Sequence, residues 1–435
     1  MSDLLNSYRL FAEDAIQKYK ELPEEQNELY KRKYVSLSPE QLFEIFQDKK
    51  DSTESIEEIE ALSKSIFVDS PVKFDAIIWG GGHIVNQAQK NIKIVPVSDI
   101  SMEMLDRKLY KNSDDKLASL MHAFTKEIVI LEVPEGQKIQ INLLFVNASQ
   151  PLATQVIVNA GKGAVVEVFE WYASSAGSNS ASAVMHECIA EEYSNISIDA
   201  IHNEDHRTTV VGLSKYSAMT NATLKLNYLY NGGSHCRVKN YLSASGYEAS
   251  MYVNELVFGS STQKFDVSSY LENSSQATTA ELHSKAVLAD QSFCILKGFA
   301  KIPFGSKNAR SFVYESGMLL NKDAYLESIP AMSIDENEVK ATHSSATGPI
   351  DEELIFYLMS KGLPEQSAKK LIVEGFLSSS LGKFRNATAK LAGANLISEK
   401  MEKGIFGAPV KLSAENIWVG KENEEDIFKG HYKYR

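Results

Sequence analysis

Hydrophobic positions near the start of the chain recur every three or four residues. Leu4, Tyr8, Phe11, Ala15 and Tyr19 make one stripe of an amphipathic helix, which Pro23 would stop. A second helix is predicted from Ser38. Ser38 suits the N-cap, Pro39 the first helical position and Gln41 the third, which completes a capping box, and Leu37 and Leu42 are spaced as a hydrophobic staple. The acidic run from Asp51 to Glu60 is expected to be a solvated face or a linker. The period shortens to two from about Glu127. Glu127 to Val133 alternates as a strand, and Pro134-Glu135-Gly136 supplies its turn. The alternation returns at Ile139 and Ile141, Val156 and Val158, Val166 and Val168, Leu224 to Tyr228, Tyr252 to Leu256, Phe265 to Val267 and Tyr325 to Glu327. Many short strands separated by Ser/Asn/Gly clusters call for a sandwich, a barrel or a solenoid. Turns made of small polar residues, in place of the Asn-Gly of tight hairpins, favour the solenoid.

Helix returns after Pro349. From Asp351 to Lys361, Leu354, Ile355, Leu358 and Met359 share one side, and Gly362 sits where a helix should end. Pro364 then opens a second helix with Ala368, Leu371, Ile372 and Gly375 on its apolar face. A DNA-binding pair of helices would need a basic exposed face, and here Glu365 and Glu374 flank Lys369 and Lys370. Beyond about Ser378 the periodicity fades, and the charged end from Lys421 to Arg435 is expected to be loosely held.

Charge and cysteine usage narrow the function. The 435 residues carry 45 Lys+Arg against 57 Asp+Glu, a net charge of -12, which argues against a nucleic-acid partner. No run of apolar residues is long enough to cross a membrane, and the first residues lack a secretory pattern, so the chain is expected to be cytoplasmic. Cys188, Cys236 and Cys294 are far apart, and none belongs to a C-x-x-C pair. They argue against a disulfide framework, and against a zinc or iron–sulfur site that this chain could complete alone. His186 lies two residues from Cys188, and His235 adjoins Cys236. Either pair could bind a metal or pass sulfur along, and packing inside the core is the plainer account. His202 and His206 are four apart, but in strand-like surroundings they lack the geometry of a helical metal site. Trp79-Gly80-Gly81-Gly82-His83 has neither phosphate-loop spacing and is expected to be a tight turn between strands.

The stretch from Asn337 to Glu353, with Thr342-His343-Ser344-Ser345-Ala346-Thr347-Gly348 and Asp351-Glu352-Glu353, continues into Phe356-Tyr357-Leu358-Met359-Ser360-Lys361-Gly362, Ala368 and Gly375-Phe376. It resembles the C-terminal motif of the SufB/SufD family, the scaffold proteins of the Suf iron–sulfur cluster assembly machinery. Weaker similarity reaches back to Val133–Gly136 and the segment near Asn159. The resemblance implies a mainly β fold: a right-handed parallel β-helix core over residues 116–348, an N-terminal helical region over 1–115, and a C-terminal helical domain and tail over 349–435. It implies pairing through the β-helix with a SufB-type partner or a second copy. It also implies binding of a SufC-type ATPase through the hairpin that holds Asp351, Glu352, Glu353, Phe356, Tyr357, Gly362, Gly375 and Phe376. ATP hydrolysis would belong to that partner, and this chain would be a non-catalytic scaffold.

SufB-type chains carry a cysteine late in the β-helix and an E-H-E triplet further on. Alignment through Ala309-Arg310 and Pro330 puts Glu315 at the place of that cysteine, and the triplet becomes Thr342-His343-Ser344, so the histidine alone survives. The wording is nearer to SufD. His343 is then the expected iron ligand, because a neutral imidazole holds iron and releases it more easily than a thiolate. Glu315 is a candidate carboxylate ligand or, more simply, a surface glutamate. Any iron–sulfur cluster or iron would be transient and shared with a partner, with none held stably by this chain alone. Whether a reduced flavin is handled stays open. Two other classes remain: a β-helix carbohydrate-active enzyme and a purely structural homodimer. The enzyme would need export and carboxylates stacked on successive coils, and Asp266, Asp290 and Asp323 are too irregular for that.

Overall fold

The structure, a computed structural model, describes residues 13–22, 37, 39–47, 54–67, 72–97, 116–175 and 181–403. The early helical positions Leu4, Tyr8 and Phe11, the cap Ser38 and the charged tail lie outside the described residues. Inside them, α1 (residues 13–21) buries Ala15 and Tyr19, as the stripe predicts. Helix α2 (Pro39–Gln47) buries Leu42 and Phe46, with Leu37 packed against the same cluster in the staple position. The acidic run is more ordered than a linker. Ser55 and Glu58 form a reciprocal capping box for α3 (Ile56–Ser65), which buries Ile59 and leaves its glutamates in solvent.

The N-terminal region, expected to be mainly helical with a turn between strands at residues 79–83, holds three strands within residues 76–96. Strand β1 (Ala76–Trp79) and β2 (Gly82–Val85) form an antiparallel hairpin with Trp79 opposite Gly82, so the Gly80-Gly81 stretch is the expected turn. Strand β3 (Ile92–Pro96) follows, then α4 (Lys116–Phe124). Runs of four or five apolar residues such as Ala76–Trp79 are too short to separate strand from helix by period, and only the pairing partner decides.

From β4 (Glu127–Val133) onward the chain makes sixteen strands, the last being β19 (Lys340–Pro349). The even-numbered strands continue β3 in a nine-stranded sheet, and the odd-numbered ones join β1 and β2 in a ten-stranded sheet. From β4 and β5 (Lys138–Asn147) on, each strand pairs in parallel with the strand two places along, in unbroken register. The result is a parallel β-solenoid of about eight coils, mainly β, with helices at both ends of the sequence. Each coil places a left-handed residue at one turn: Gly136, Gly163, Tyr193, Asn221, Glu248, Ala277 and Asn308. The amide of each donates to a carbonyl in the turn of the next coil, as Tyr193 does to Thr220 and Glu248 to Gln276, at 3.0 and 3.1 Å. The turns are therefore stitched along the solenoid axis independently of the sheets.

Alternation along the strands sends one set of side chains inward, where Val, Leu, Ile, Ala and Cys fill the space between the two sheets. Cys188, Cys236 and Cys294 all lie there, buried and unpaired, and burial pushes their thiols well above the ordinary range. The outer face of the nine-stranded sheet packs on α2 and α4 through Ala183, Met185, Val211 and Leu213. The outer face of the ten-stranded sheet packs on helices from the C-terminal part. α5 (Glu352–Ser360) packs through Ile355 beside Ala368, Met318 and Leu320, and the helices laid on the sheet are α6 (Glu365–Gly382) and α7 (Ala387–Lys403). α7 lies beyond Ser378, where the sequence shows no clear stripe. It buries Ala389, Ala392, Leu396 and Ile397, small and large together, so its pattern is weak.

Candidate functional site

Two places gather the residues that the motif singles out, and the last coil is the first of them. In β17 (Arg310–Leu319), Ser311, Val313, Glu315 and Gly317 point inward and are buried. The parallel register sets Ala341, His343, Ser345 and Thr347 of β19 beside them on the same inner face. No coil follows β19 among the described residues, so its inner side chains stand open to solvent, His343 among them. β18 (Tyr325–Ile334) closes the other wall with Ser328, whose hydroxyl lies 2.7 Å from Ser345 Oγ and donates to Glu315 Oε2 at 2.5 Å.

Glu315 is therefore no surface glutamate. It is 2% exposed, under the rim of the solenoid. Its Oε1 has no hydrogen-bond partner and faces Gly298, where a Cβ would come within 2.8 Å of it. Burial pushes its carboxyl up to about 7 against the pull of the Ser328 hydroxyl, and the nearby Glu255 adds to the rise. Glu255 lies further in on the same inner column, reached through Ser284, and it too is raised by burial. Three side chains hold it: Ser269 at 2.5 Å, Ser284 at 2.7 Å and Asn240 at 3.1 Å. A line of inward polar groups thus runs from the solenoid interior to the open rim beside His343. The structure brings Glu315 and His343 to the same inner face of adjoining strands. Among the described residues, no group of three or more His, Cys, Asp or Glu could hold a metal ion.

The C-terminal hairpin is the second place. Asp351 caps α5, accepting from the amides of Glu353 and Leu354 at 2.9 and 3.0 Å. Gly362 follows the helix with φ of +97°, the left-handed end that its position predicts. Of α5 only Ile355 is buried. Phe356 is 74% and Tyr357 55% exposed, and Leu354 and Met359 are exposed beside them. Sequence reasoning placed Leu354 and Met359 on one side with Ile355, and of these Ile355 alone is buried. The six successive apolar residues from Leu354 to Met359 exceed what one buried stripe can hold, and that excess was the available signal. On α6 the buried face is Ala368, Val373, Leu377 and Leu381, while Leu371 and Gly375 face outward, which corrects the predicted stripe. Phe376 is turned toward the solenoid under the Lys285 ammonium, 4.9 Å from its ring centre. Lys285 also donates to Phe376 O and Ser379 Oγ, each at 2.8 Å, and Asn254 donates to Ser380 O at 3.0 Å. Asp199 accepts from the amides of Arg385 and Asn386 at 2.7 and 2.6 Å. These outward polar residues of the ten-stranded sheet fix α6 and α7 in place, and no sequence signal distinguished them.

Of the remaining candidates, the cysteines, His186 and His202 are buried, and His206 is exposed. His186 and Cys188 do share the inner face, as strand spacing requires, but His186 is bonded to Glu170 at 3.1 Å. His202 is paired with Glu204 at 2.9 Å, and the exposed His206 with Asp205 at 3.1 Å. They form no shared site.

The structure defines a class of protein: a parallel β-solenoid flanked by helices, with its motif residues on an open last coil and an exposed helical hairpin. Comparison with known proteins makes the assignment specific. Residues 144–376, just over half of the chain, match the SUF system FeS cluster assembly, SufBD core domain. The chain belongs to the SufBD family of iron–sulfur cluster assembly proteins. It is 24% identical over 312 residues to a SufBD family protein of Pyrococcus horikoshii, covering 68% of this chain and 70% of that one. It is 23% identical over 276 residues to SufD of Bacillus subtilis, covering 62% and 63%. With SufD of Escherichia coli it shares 25% identity over 146 residues, about a third of each chain. No described helix is long and apolar enough to cross a membrane.

Proposed function

We propose that this chain is a SufD-like, non-catalytic scaffold subunit in the cytoplasm that works between two partners. A SufC-type ATPase docks on α5, and a SufB-type chain or a second copy pairs with the open β18–β19 end. The observation that carries the reading is the uncovered apolar face of α5. Phe356, Tyr357, Leu354 and Met359 stand in solvent on a short helix, inside the stretch that the SufBD core family model covers. Burying two aromatics and two aliphatics at about 1.5–3 kcal/mol each is enough to anchor a complex. At the open end, β18 and β19 are the last strands of their sheets among the described residues, and their main-chain edges are ones that a partner's strands can continue.

His343 is the residue of this chain that would touch iron or a nascent cluster, and a partner would supply the thiolates. An exposed imidazole on a rigid strand is a single ligand, suited to holding a cluster in transit. Glu315, kept from solvent under Ser328 and Ser345, is a less direct participant and would contribute a carboxylate or a proton at the rim. The test mixes the purified full chain with its ATPase and SufB-type partners, and compares His343→Ala and Phe356→Ala with the parent. The reading expects Phe356→Ala to weaken capture of the ATPase, and His343→Ala to leave capture intact while lowering cluster formation. Absence of any complex, together with normal assembly by the His343→Ala protein, would overturn it.

A further inference from the structure

α7 sends a charged side chain against a corner of the solenoid. Lys400 follows Leu396 and Ile397 by one helical turn, which sets it on their buried face, and it is 3% exposed. Its run, Ser398-Glu399-Lys400-Met401-Glu402-Lys403, reads in the sequence as an ordinary solvated helix end. Three oxygens accept from its Nζ: Asn231 O at 2.7 Å, Gln263 Oε1 at 2.8 Å and Phe258 O. Asn231 belongs to the corner between β11 (Thr223–Tyr230) and β12 (His235–Ala244). Phe258 and Gln263 frame the next corner along, between β13 (Ser250–Gly259) and β14 (Lys264–Asn273). The centre of the Phe258 ring lies 5.1 Å from the same nitrogen.

The corners hold this shape through bonds of their own. Gln263 donates through Nε2 to Gly233 O at 2.7 Å and to Asn231 O at 3.3 Å, and its Oε1 accepts from the Ser260 amide at 3.0 Å. Those bonds fix which end of the amide meets Lys400, since a flipped Gln263 would turn donors toward a donor. Gly232 permits the close stacking of successive corners, because a Cβ there would lie 2.2 Å from Glu204 N. Asn231, Phe258 and Gln263 are all buried. Water around the charge is thus replaced by oxygens that the solenoid itself holds in place. Burial draws the amine below the ordinary lysine range, and Asp290 opposes that pull. The oxygen set favours the charged form: three acceptors call for three N–H donors, and only the protonated amine has them.

We propose that this corner is a binding site for a primary ammonium group, and that Lys400 occupies it as a pin that seats α7 on the solenoid. α6 packs with α7, and Ile355 of α5 packs beside Ala368 of α6, so the pin also sets where the exposed face of α5 stands. The inference holds whichever partner α5 receives.

Chemical rescue of Lys400→Ala in the full chain tests it. The variant lacks Cγ, Cδ, Cε and Nζ, the atoms that n-propylammonium supplies. Its melting temperature should fall, and the α7 amides should exchange roughly tenfold faster by hydrogen-exchange mass spectrometry. n-Propylammonium should reverse both changes, whereas n-propanol, or tetramethylammonium at matched ionic strength, should not. Lys400→Met keeps an apolar stem without the charge, and it should stay destabilised and ignore the amine. Parent-like stability of Lys400→Met, no rescue by n-propylammonium, or equal rescue by n-propanol overturns the proposal. The parent chain gives a separate reading should the variants fail to fold. An amine-directed acylating reagent, mapped by mass spectrometry, should spare Lys400 while the exposed Lys361 reacts. Equal labelling of the two overturns the proposal as well.

Discussion

Replacing Glu315 by Gln tests the interior directly. The carboxyl is raised from 4.5 to about 7, first by burial and then by Glu255, against the Ser328 hydroxyl. A raised acid binds its proton more tightly in the folded chain than in the unfolded one. Its contribution is therefore most favourable below the unfolded value near 4.5, and it is lost progressively as pH rises to about 7. A gap of that size, at about 1.4 kcal/mol per pH unit, amounts to about 3 kcal/mol of stability given up above neutrality. The Glu315→Gln side chain would have almost the same shape and no charge. Its amide can donate to Ser328, whose hydroxyl can turn to donate onward to Ser345. Thermal unfolding followed by circular dichroism between pH 4.5 and 8.5 should show the two proteins nearly coincident at the acid end. The variant should melt a few degrees higher at the alkaline end, as roughly 3 kcal/mol implies for a chain this long. A constant offset across the range, or none, would refute the argument and restore the surface glutamate that the sequence suggested.

Other tests follow the same geometry. Phe356→Ala and Tyr357→Ala should lower affinity for the ATPase partner by at least tenfold in a titration, yet change the melting point of the isolated chain little, because both rings are already in solvent. His343→Ala should alter stability by less than about 0.5 kcal/mol for the same reason, while iron or cluster retention by the assembled complex falls. Gly246→Ala should be strongly destabilising by denaturant titration, by about 2 kcal/mol or more. Its Cβ would sit 1.9 Å from Thr220 N and 2.3 Å from Met219 C, backbone atoms of the adjoining coil that cannot step aside. Leu282→Ala, in the inner column, should cost about 2–5 kcal/mol, and equal stability would contradict the inward assignment of that face.

Several features were legible because they depend on local chemistry. The strand from Glu127 to Val133 and the Asp351 cap followed by Gly362 fall where spacing places them. The Gly80-Gly81 turn does so as well. Period two could not choose between the architectures that share it. A solenoid differs from a sandwich in which strand each one pairs with, and those partners lie about one coil away in sequence. The family motif supplied the choice that alternation could not. Its polar residues were identified as a group, but their environments were not: Glu315 turned out enclosed and His343 open, two coil-adjacent residues separated only by whether another strand follows. Turn positions were obscure too, since Tyr193, Glu248 and Ala277 adopt a left-handed conformation that side chains normally avoid. They are held there by hydrogen bonds that their amides donate to the next coil, a cause absent from the local sequence.

The sequence by itself determined the alternation that makes inner and outer faces, the helical hairpin with its caps, and the acidic balance of the chain. It also determined that the three cysteines are scattered along the chain, with no C-x-x-C pair among them. The tertiary structure decided what stacks above what. Register turned Glu170, Glu255 and Glu315 into one inner column, set Asp199, Asn254 and Lys285 beneath the C-terminal helices, and ended the solenoid at His343. The physical reason is that a strand specifies its own two faces through a period of two, whereas burial is conferred by neighbours contributed from other coils. Only the assembled stack says which residue has one.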